Sequence, residues 1–238
     1  MIIDAWFEYW ISIKEKTVRP NTVRNYRERY QKNISKVIGK MMLVDVKPIH
    51  CQKIFSDMAD EGYKTTTMYQ TRIALFNMLE FAKENDIIIH NPCKKSVRSD
   101  MGKPSDKKEA LEIAEQQTFL EYAEGQSYEN QYRFILQTGL RTGELVGLKW
   151  EDIDFSTAQL HVRRTINRLA KYEALDGESK TEIVFGTPKT KNSRRTIPLT
   201  HTIADELARW KQQQAQDKQR AGDKYTDEGF IVTNEFGH

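Results

Sequence analysis

The sequence predicts a mainly α-helical fold with a small β-sheet, laid out as an N-terminal helical bundle followed by an α+β domain. Three observations lead there. Apolar residues recur at three- and four-residue spacing through about the first ninety positions, the pattern of amphipathic helices. Between residues 91 and 108 that periodicity gives way to Lys, Arg, Pro and Gly. Beyond it come short helical patterns, then β-branched runs, then one long polar helix, the order of an α+β domain.

Taken in order, Ile3, Trp6, Tyr9, Trp10 and Ile13 mark a helix over residues 2–13. After Pro20, a second helix over 21–34 lines up Val23, Tyr26, Tyr30 and Ile34, with Arg24, Arg27, Arg29 and Lys32 around the stripe; Asn21 or Thr22 is the expected cap. Pro48 opens a third helix over 48–59, and Gly62 stops it. A fourth, over 65–85, is expected to bury Met68, Leu75, Phe76, Leu79 and Ala82. These elements form a helical bundle over 1–91. Residues 92–108, with Lys94, Lys95, Arg98, Lys107 and Lys108, read as a basic linker. The second domain, 109–238, is expected to hold helices at 115–124, 130–137 and 141–148 and strands at 159–167, 182–186 and 194–199. A long helix at 202–219 and an extended segment at 230–233 complete it.

Composition narrows the function classes. With 38% apolar and 30% charged residues, the 238-residue chain has enough core for one large or two ordinary domains and a wet, ionic surface. Its start lacks the basic and apolar regions of a signal peptide, and no run approaches the ~18 apolar residues of a membrane span, so the cytoplasm is the expected location. Cys51 and Cys93 have neither C-x-x-C nor zinc-ligand spacing, which points to reduced thiols and no metal. The net charge of +3 is unevenly spread: residues 1–100 hold 17 Lys and Arg against 12 Asp and Glu, and residues 101–238 hold 20 against 22. A basic first domain suits a duplex partner held through its phosphates.

The chemistry concentrates in the run Thr138-Gly139-Leu140-Arg141-Thr142-Gly143-Glu144-Leu145-Val146-Gly147-Leu148-Lys149-Trp150-Glu151-Asp152-Ile153-Asp154. Leu140, Leu145 and Leu148 give a short helix an inward face, and Gly139 permits a tight turn before it. Arg141 is thereby held at the helix start with Glu144 one turn on, an arrangement that suits either a guanidinium fork oriented for an anion or an ordinary surface Arg–Glu pair. A second basic run, Thr187-Pro188-Lys189-Thr190-Lys191-Asn192-Ser193-Arg194-Arg195-Thr196-Ile197-Pro198-Leu199, reads as a turn feeding a strand.

The first of these runs resembles the motif that supplies the first catalytic arginine of tyrosine recombinases of the phage-integrase class, and the second resembles that family's lysine-bearing β-hairpin. A weaker resemblance, through Trp6 to Trp10, Pro20 to Tyr26 and Tyr69 to Phe81, links the first domain to the family's SAM-like core-binding domain. The resemblance implies a helical core-binding domain at 1–91, joined by the 92–108 linker to the N-terminal part of an α+β catalytic domain. It implies site-specific recombination and integration of mobile DNA by strand cleavage and rejoining through a phosphotyrosine. Arg141 would then clamp phosphate, Glu144 support it, and Lys189, with Lys191 as the rival, protonate the departing 5′ oxygen. Arg24, Arg27, Lys94, Lys95, Lys191 and Arg194 are the expected contacts to double-stranded DNA. No metal, cofactor, small-molecule substrate or membrane is implied, and the full-length protein is expected to self-associate on DNA.

The family's later H-x-x-R helix and nucleophilic tyrosine have no counterpart that can be placed. His161-Val162-Arg163-Arg164 fits the letters but lies in an expected strand about twenty residues after Arg141. All ten tyrosines precede the nucleophile's place, so the expectation is a chain that stops short of it and binds DNA without turnover. The alternative is a DNA-binding or regulatory module with no catalytic role.

Overall fold

The computed structural model describes residues 1–94, 98–106, 109–126, 128–170, 181–186 and 194–238. The chain folds as two compact units, Met1–Glu109 and Ala110–His238.

In the first unit, α1 (Ile3–Glu15), α2 (Pro20–Arg29), α3 (Ser35–Ile38), α4 (Pro48–Asp60) and α5 (Thr65–Glu84) enclose one core. The buried residues of α1 are Ile3, Trp6, Phe7, Trp10 and Ile11, whereas Tyr9 is exposed. The inward face is thus the full 3.6-residue stripe, which the aromatics at 9 and 10 shift by one position when read as simple spacing. Trp6 donates its Nε1 hydrogen to the Met78 carbonyl (3.1 Å), tying α1 to α5. Phe7 stacks on Tyr30 with ring centroids 3.7 Å apart.

Helix α2 starts at Pro20 itself, with Arg19 before it and no capping side chain. The expected Asn21 or Thr22 cap is therefore corrected: proline lacks the N–H that a first-turn residue leaves unpaired, so it opens the helix without cost. The stripe Val23, Tyr26, Tyr30, Ile34 does run inward, but through a π-helical turn at Tyr30–Ile34 between α2 and α3. There the Tyr30 hydroxyl (2.5 Å) and Ser35 hydroxyl (2.8 Å) donate to Asp4 Oδ1, and Lys40 pairs with Oδ2 (2.9 Å). Cys51 and Cys93 are wholly enclosed in this core, and burial pushes their thiols up to about 12 and about 11.

Residues 98–106 differ from the expected tether. The Lys103 amide donates to the Tyr63 carbonyl (3.0 Å), the Thr65 amide to the Lys103 carbonyl (2.9 Å), and Gln52 bonds the Arg98 backbone in both directions. The segment anneals to the start of α5 because Gly102 has no side chain: a Cβ there would lie 2.5 Å from both Met68 Sδ and the Tyr63 carbonyl oxygen. Its charged composition says nothing of these backbone bonds.

The second unit contains α6 (Ile113–Ala123), α7 (Glu129–Thr138), α8 (Thr142–Val146), β1 (Ile153–Asp154), β2 (Gln159–Val162), β3 (Thr165–Ala170), β4 (Thr181–Gly186), β5 (Arg195–Pro198) and α9 (His201–Ala221). One antiparallel sheet has the order β1-β2-β5, with Leu160 opposite Ile197 and Val162 opposite Arg195. A separate ribbon pairs β3 with β4. The single strand expected over 159–167 is thus two strands with different partners. It breaks at Arg163 and Arg164, whose guanidiniums pair with the wholly buried Asp152. The expected extended segment at 230–233 forms no strand of either sheet but is tied in: Phe230 bridges to Lys149, the amide of the buried Ile231 donates to the Leu148 carbonyl (3.0 Å), and Gln214 Nε2 donates to the Phe230 carbonyl (2.9 Å) and Thr233 Oγ1 (2.7 Å). Phe134, Leu140, Leu145, Leu148, Leu160, Val162, Ile203 and Leu207 belong to this unit's core.

Strand β3 lies hard against α8. A Cβ on Gly143 would stand 2.6 Å from Thr165 Oγ1 and 2.8 Å from the Ile166 carbonyl oxygen, so only glycine lets the two backbones meet. Gly143→Ala is therefore expected to destabilise the protein by about 1–3 kcal/mol in urea unfolding. An unchanged midpoint and slope would show that β3 is not pinned to α8.

Candidate active site

The site is built on the turn between α7 and α8. Gly139 ends α7 in the left-handed region at φ 62°, a conformation costly for a residue with a Cβ, and the chain then passes through extended Arg141 into α8. The Arg141 carbonyl accepts the amides of Glu144 and Leu145, both at 2.9 Å. In return, the Glu144 carboxylate accepts the Arg141 amide at 3.1 Å. The local sequence thus forms the glutamate half of a capping box, in which Glu144 reaches back to the amide of the N-cap residue of its own helix.

The same carboxylate holds two guanidiniums. Arg141 Nη1 donates to Glu144 Oε1 at 2.9 Å, while Arg195 donates from Nη2 to Oε2 at 2.9 Å and from Nη1 to Oε1 at 3.2 Å. Four donors saturate an acceptor with about four lone-pair sites. Exposure separates the partners: the side chain of Glu144 is 4% exposed, that of Arg195 30% and that of Arg141 72%. Glu144 is the carboxylate paired with Arg141, whose guanidinium is otherwise largely in solvent. The arrangement can present a fixed cation to an external anion.

Burial by itself pushes the Glu144 carboxyl up, but the hydrogen bonds from Arg195 and from the amide and side chain of Arg141 outweigh it and hold the acid below the usual glutamate range. Asp154, the last residue of β1, is held down at about 2 by the hydroxyls and amides of Ser156 and Thr157.

Of the residues singled out in the sequence, Arg141 and Glu144 are brought together. Lys95, Lys189 and Lys191 lie outside the described residues. Arg194 is exposed just before β5. In the first unit, Arg24 is half-buried on α2, and Lys94 is exposed with its carbonyl accepting from Arg72 Nη2 (2.9 Å). Arg27 is only 16% exposed and is paired with Glu8 (2.9 Å) and Glu15 (2.8 Å), which makes it a brace between α2 and α1. His161 bonds Thr196 across β2 and β5 and Arg164 bonds Asp152, so the H-x-x-R letters here belong to the scaffold. Among the described residues no group of three or more His, Cys, Asp or Glu can hold a metal, and no helix is long and apolar enough to cross a membrane.

Arg195 was not singled out. Its signal is strand parity: Ile197 and Leu199 point inward, so period-two alternation places Arg195 on the inner face and Arg194 on the outer one.

The model of the phage integrase N-terminal SAM-like domain matches residues 3–59, and that of the phage integrase family matches residues 109–226. The chain belongs to the phage integrase family of tyrosine recombinases. As a family member it is 28% identical to the tyrosine recombinase XerC-like protein of Caldanaerobacter subterraneus subsp. tengcongensis, over 99% of this chain and 62% of that protein. It is 23% identical to the ICEBs1 integrase of Bacillus subtilis, over 90% of this chain and 55% of that one. The chain therefore spans about three-fifths of the length of these relatives. In fold it matches the Tn1549 transposon integrase in complex with transposon right end DNA, with TM-score 0.78, 20% identity and coverage of 99% of this chain and 72% of that one. A lambda integrase tetramer bound to a Holliday junction matches with TM-score 0.67 and 16% identity, over 99% and 61%.

The folded value for Glu144 lies below the unfolded one, so its contribution to stability is complete above the ordinary glutamate range and is lost as pH falls through the folded value. Unfolding free energy measured from about pH 7 down to about pH 3 is expected to fall less steeply in Glu144→Gln than in the parent. Equal acid slopes would remove Glu144 from the coupled group.

Proposed function

We propose that the chain is the DNA-gripping part of a site-specific recombinase of mobile DNA, with Arg141 as its ligand for the phosphate at the exchange point. The observation that carries this reading is a largely solvated guanidinium held in place by a buried, saturated carboxylate. A surface Arg–Glu pair alone is worth at most about 1 kcal/mol and is poorly ordered. Arg141 is instead fixed through its own amide, its carbonyl and one side-chain nitrogen, while its outer donors face away from the carboxylate.

In the reaction, a guanidinium so placed binds the two nonbridging oxygens of the phosphodiester and stabilises the charge that grows as phosphorus becomes five-coordinate. Glu144 orients that cation. Lys189, or Lys191 in its stead, supplies the proton to the departing 5′ oxygen. The nucleophile would be a tyrosine, leaving a 3′-phosphotyrosyl bond until rejoining. The relatives' names and the DNA complexes of the Tn1549 and lambda integrases support this reading. Arg24, Lys94, Lys95, Lys191 and Arg194 are proposed as backbone phosphate contacts, and Arg27 as a brace. The 238 residues by themselves are proposed to bind without cutting, because no H-x-x-R helix or nucleophilic tyrosine can be placed in them.

Two measurements test this. Duplex affinity should fall steeply with salt, and Arg24→Gln should lower the logarithmic slope by about 1 while Arg27→Gln leaves it unchanged and lowers thermal stability. Salt-insensitive binding would exclude the phosphate reading. On a nicked duplex that traps covalent intermediates, the chain should yield no protein–DNA adduct; an adduct would assign the nucleophile to one of its ten tyrosines.

A further inference from the structure

Arg195 lies outside the arginine motif, on the first residue of β5, yet it makes the two-pronged contact with Glu144 while Arg141 makes a single side-chain one. This division is the reverse of what the chain's proximity favours. Arg141 is three residues from Glu144 on one helix turn, whereas Arg195 is 51 residues away and reaches the carboxylate only because β5 pairs with β2, Arg195 opposite Val162. A buried carboxylate seeks a full complement of donors, and a guanidinium fork satisfies both its oxygens at once.

We propose that Arg195 is a positioning residue for Arg141: by occupying the fork position on Glu144, it keeps Glu144 from capturing the Arg141 fork and so leaves Arg141 turned outward. This deepens the reading of Arg141 as a phosphate ligand and rests on it for its functional meaning. Without Arg195, Glu144 would be enclosed with one solvated partner. The nearest relief is for Arg141 to rotate and close both its nitrogens on the carboxylate. The site would then hold a private, neutral ion pair where it now presents a cation. Arg195 contributes to anion binding without touching the anion, being less than half as exposed as Arg141.

The idea makes a signed prediction that a general stabilising role does not. Arg195→Met should weaken binding to a short duplex of arbitrary sequence by roughly the factor lost in Arg141→Ala, about tenfold at low salt, and should add nothing further in the Arg141→Ala background. Adding Glu144→Gln to Arg195→Met should restore part of the affinity, because a neutral amide no longer captures Arg141. If Arg195 only stabilised the fold, the double variant would be worse than either single one; if it bound phosphate itself, the losses of Arg195→Met and Arg141→Ala would add. Either result overturns the proposal.

A second readout is independent of DNA. In the free protein, the Nε–Hε resonance of Arg141 should shift and its Nη rotation slow in Arg195→Met, as the outward fork becomes bound. Unchanged Arg141 resonances in a folded variant would sink the proposal whatever the DNA result. Arg195→Lys, which keeps the charge but not the fork, provides the same test with an intermediate shift should the methionine variant fail to fold. An Arg141→Ala variant with undiminished affinity would count against the phosphate reading, while the resonance test would still judge the positioning role.

Discussion

A carboxylate almost sealed from water, Glu144, is the constraint around which the second unit is arranged. Removing such a group from solvent costs several kcal/mol unless its oxygens are fully occupied. Occupying them requires a helix with Arg141 as its N-cap, a backbone amide free at that position, and a strand that delivers Arg195 from far along the chain. The short α8 is too brief to be stable from its own hydrogen bonds. Its permanence comes from that carboxylate on one side, from Leu145 and Leu148 in the core beneath, and from β3 pressed against Gly143.

What the sequence reveals and what it conceals divide along a physical line. The helices of the first unit are legible because burial of an amphipathic stripe is a local, periodic property; Val23, Tyr26, Tyr30 and Ile34 declare their face without reference to any partner. Arg141 and Glu144 are legible because one helical turn relates them. Contacts between distant segments leave no such trace. The break between β2 and β3 depends on Asp152 drawing Arg163 and Arg164 aside, and the annealing of residues 98–106 depends on a missing Cβ at Gly102. Strand parity with Ile197 and Leu199 puts Arg195 on the inner face, but its partner Glu144 lies 51 residues away and nothing local names it.

Charge illustrates the same point in the first unit. Its basic surplus in the sequence is partly spent within the fold: Lys32 pairs with Glu28, Lys53 with Asp57, Lys83 with Glu80 and Arg27 with two glutamates. Most of these pairs are exposed and worth little to stability. An exposed lysine can exchange a glutamate for a phosphate, because both partners are hydrated and near. Arg27 differs, its guanidinium being largely covered and its two carboxylates belonging to α1. Net charge therefore counts ions of unequal availability.

The seclusion of Cys51 and Cys93 has a practical corollary. Neither sulfur meets solvent, and at physiological pH both stay protonated, so alkylating or oxidising reagents find no ready target in the native fold. Modification by such a reagent would register opening of the helical core rather than chemistry at the arginines. A cysteine introduced on the surface would consequently accept a dye or spin label selectively, with the two native sulfurs left untouched.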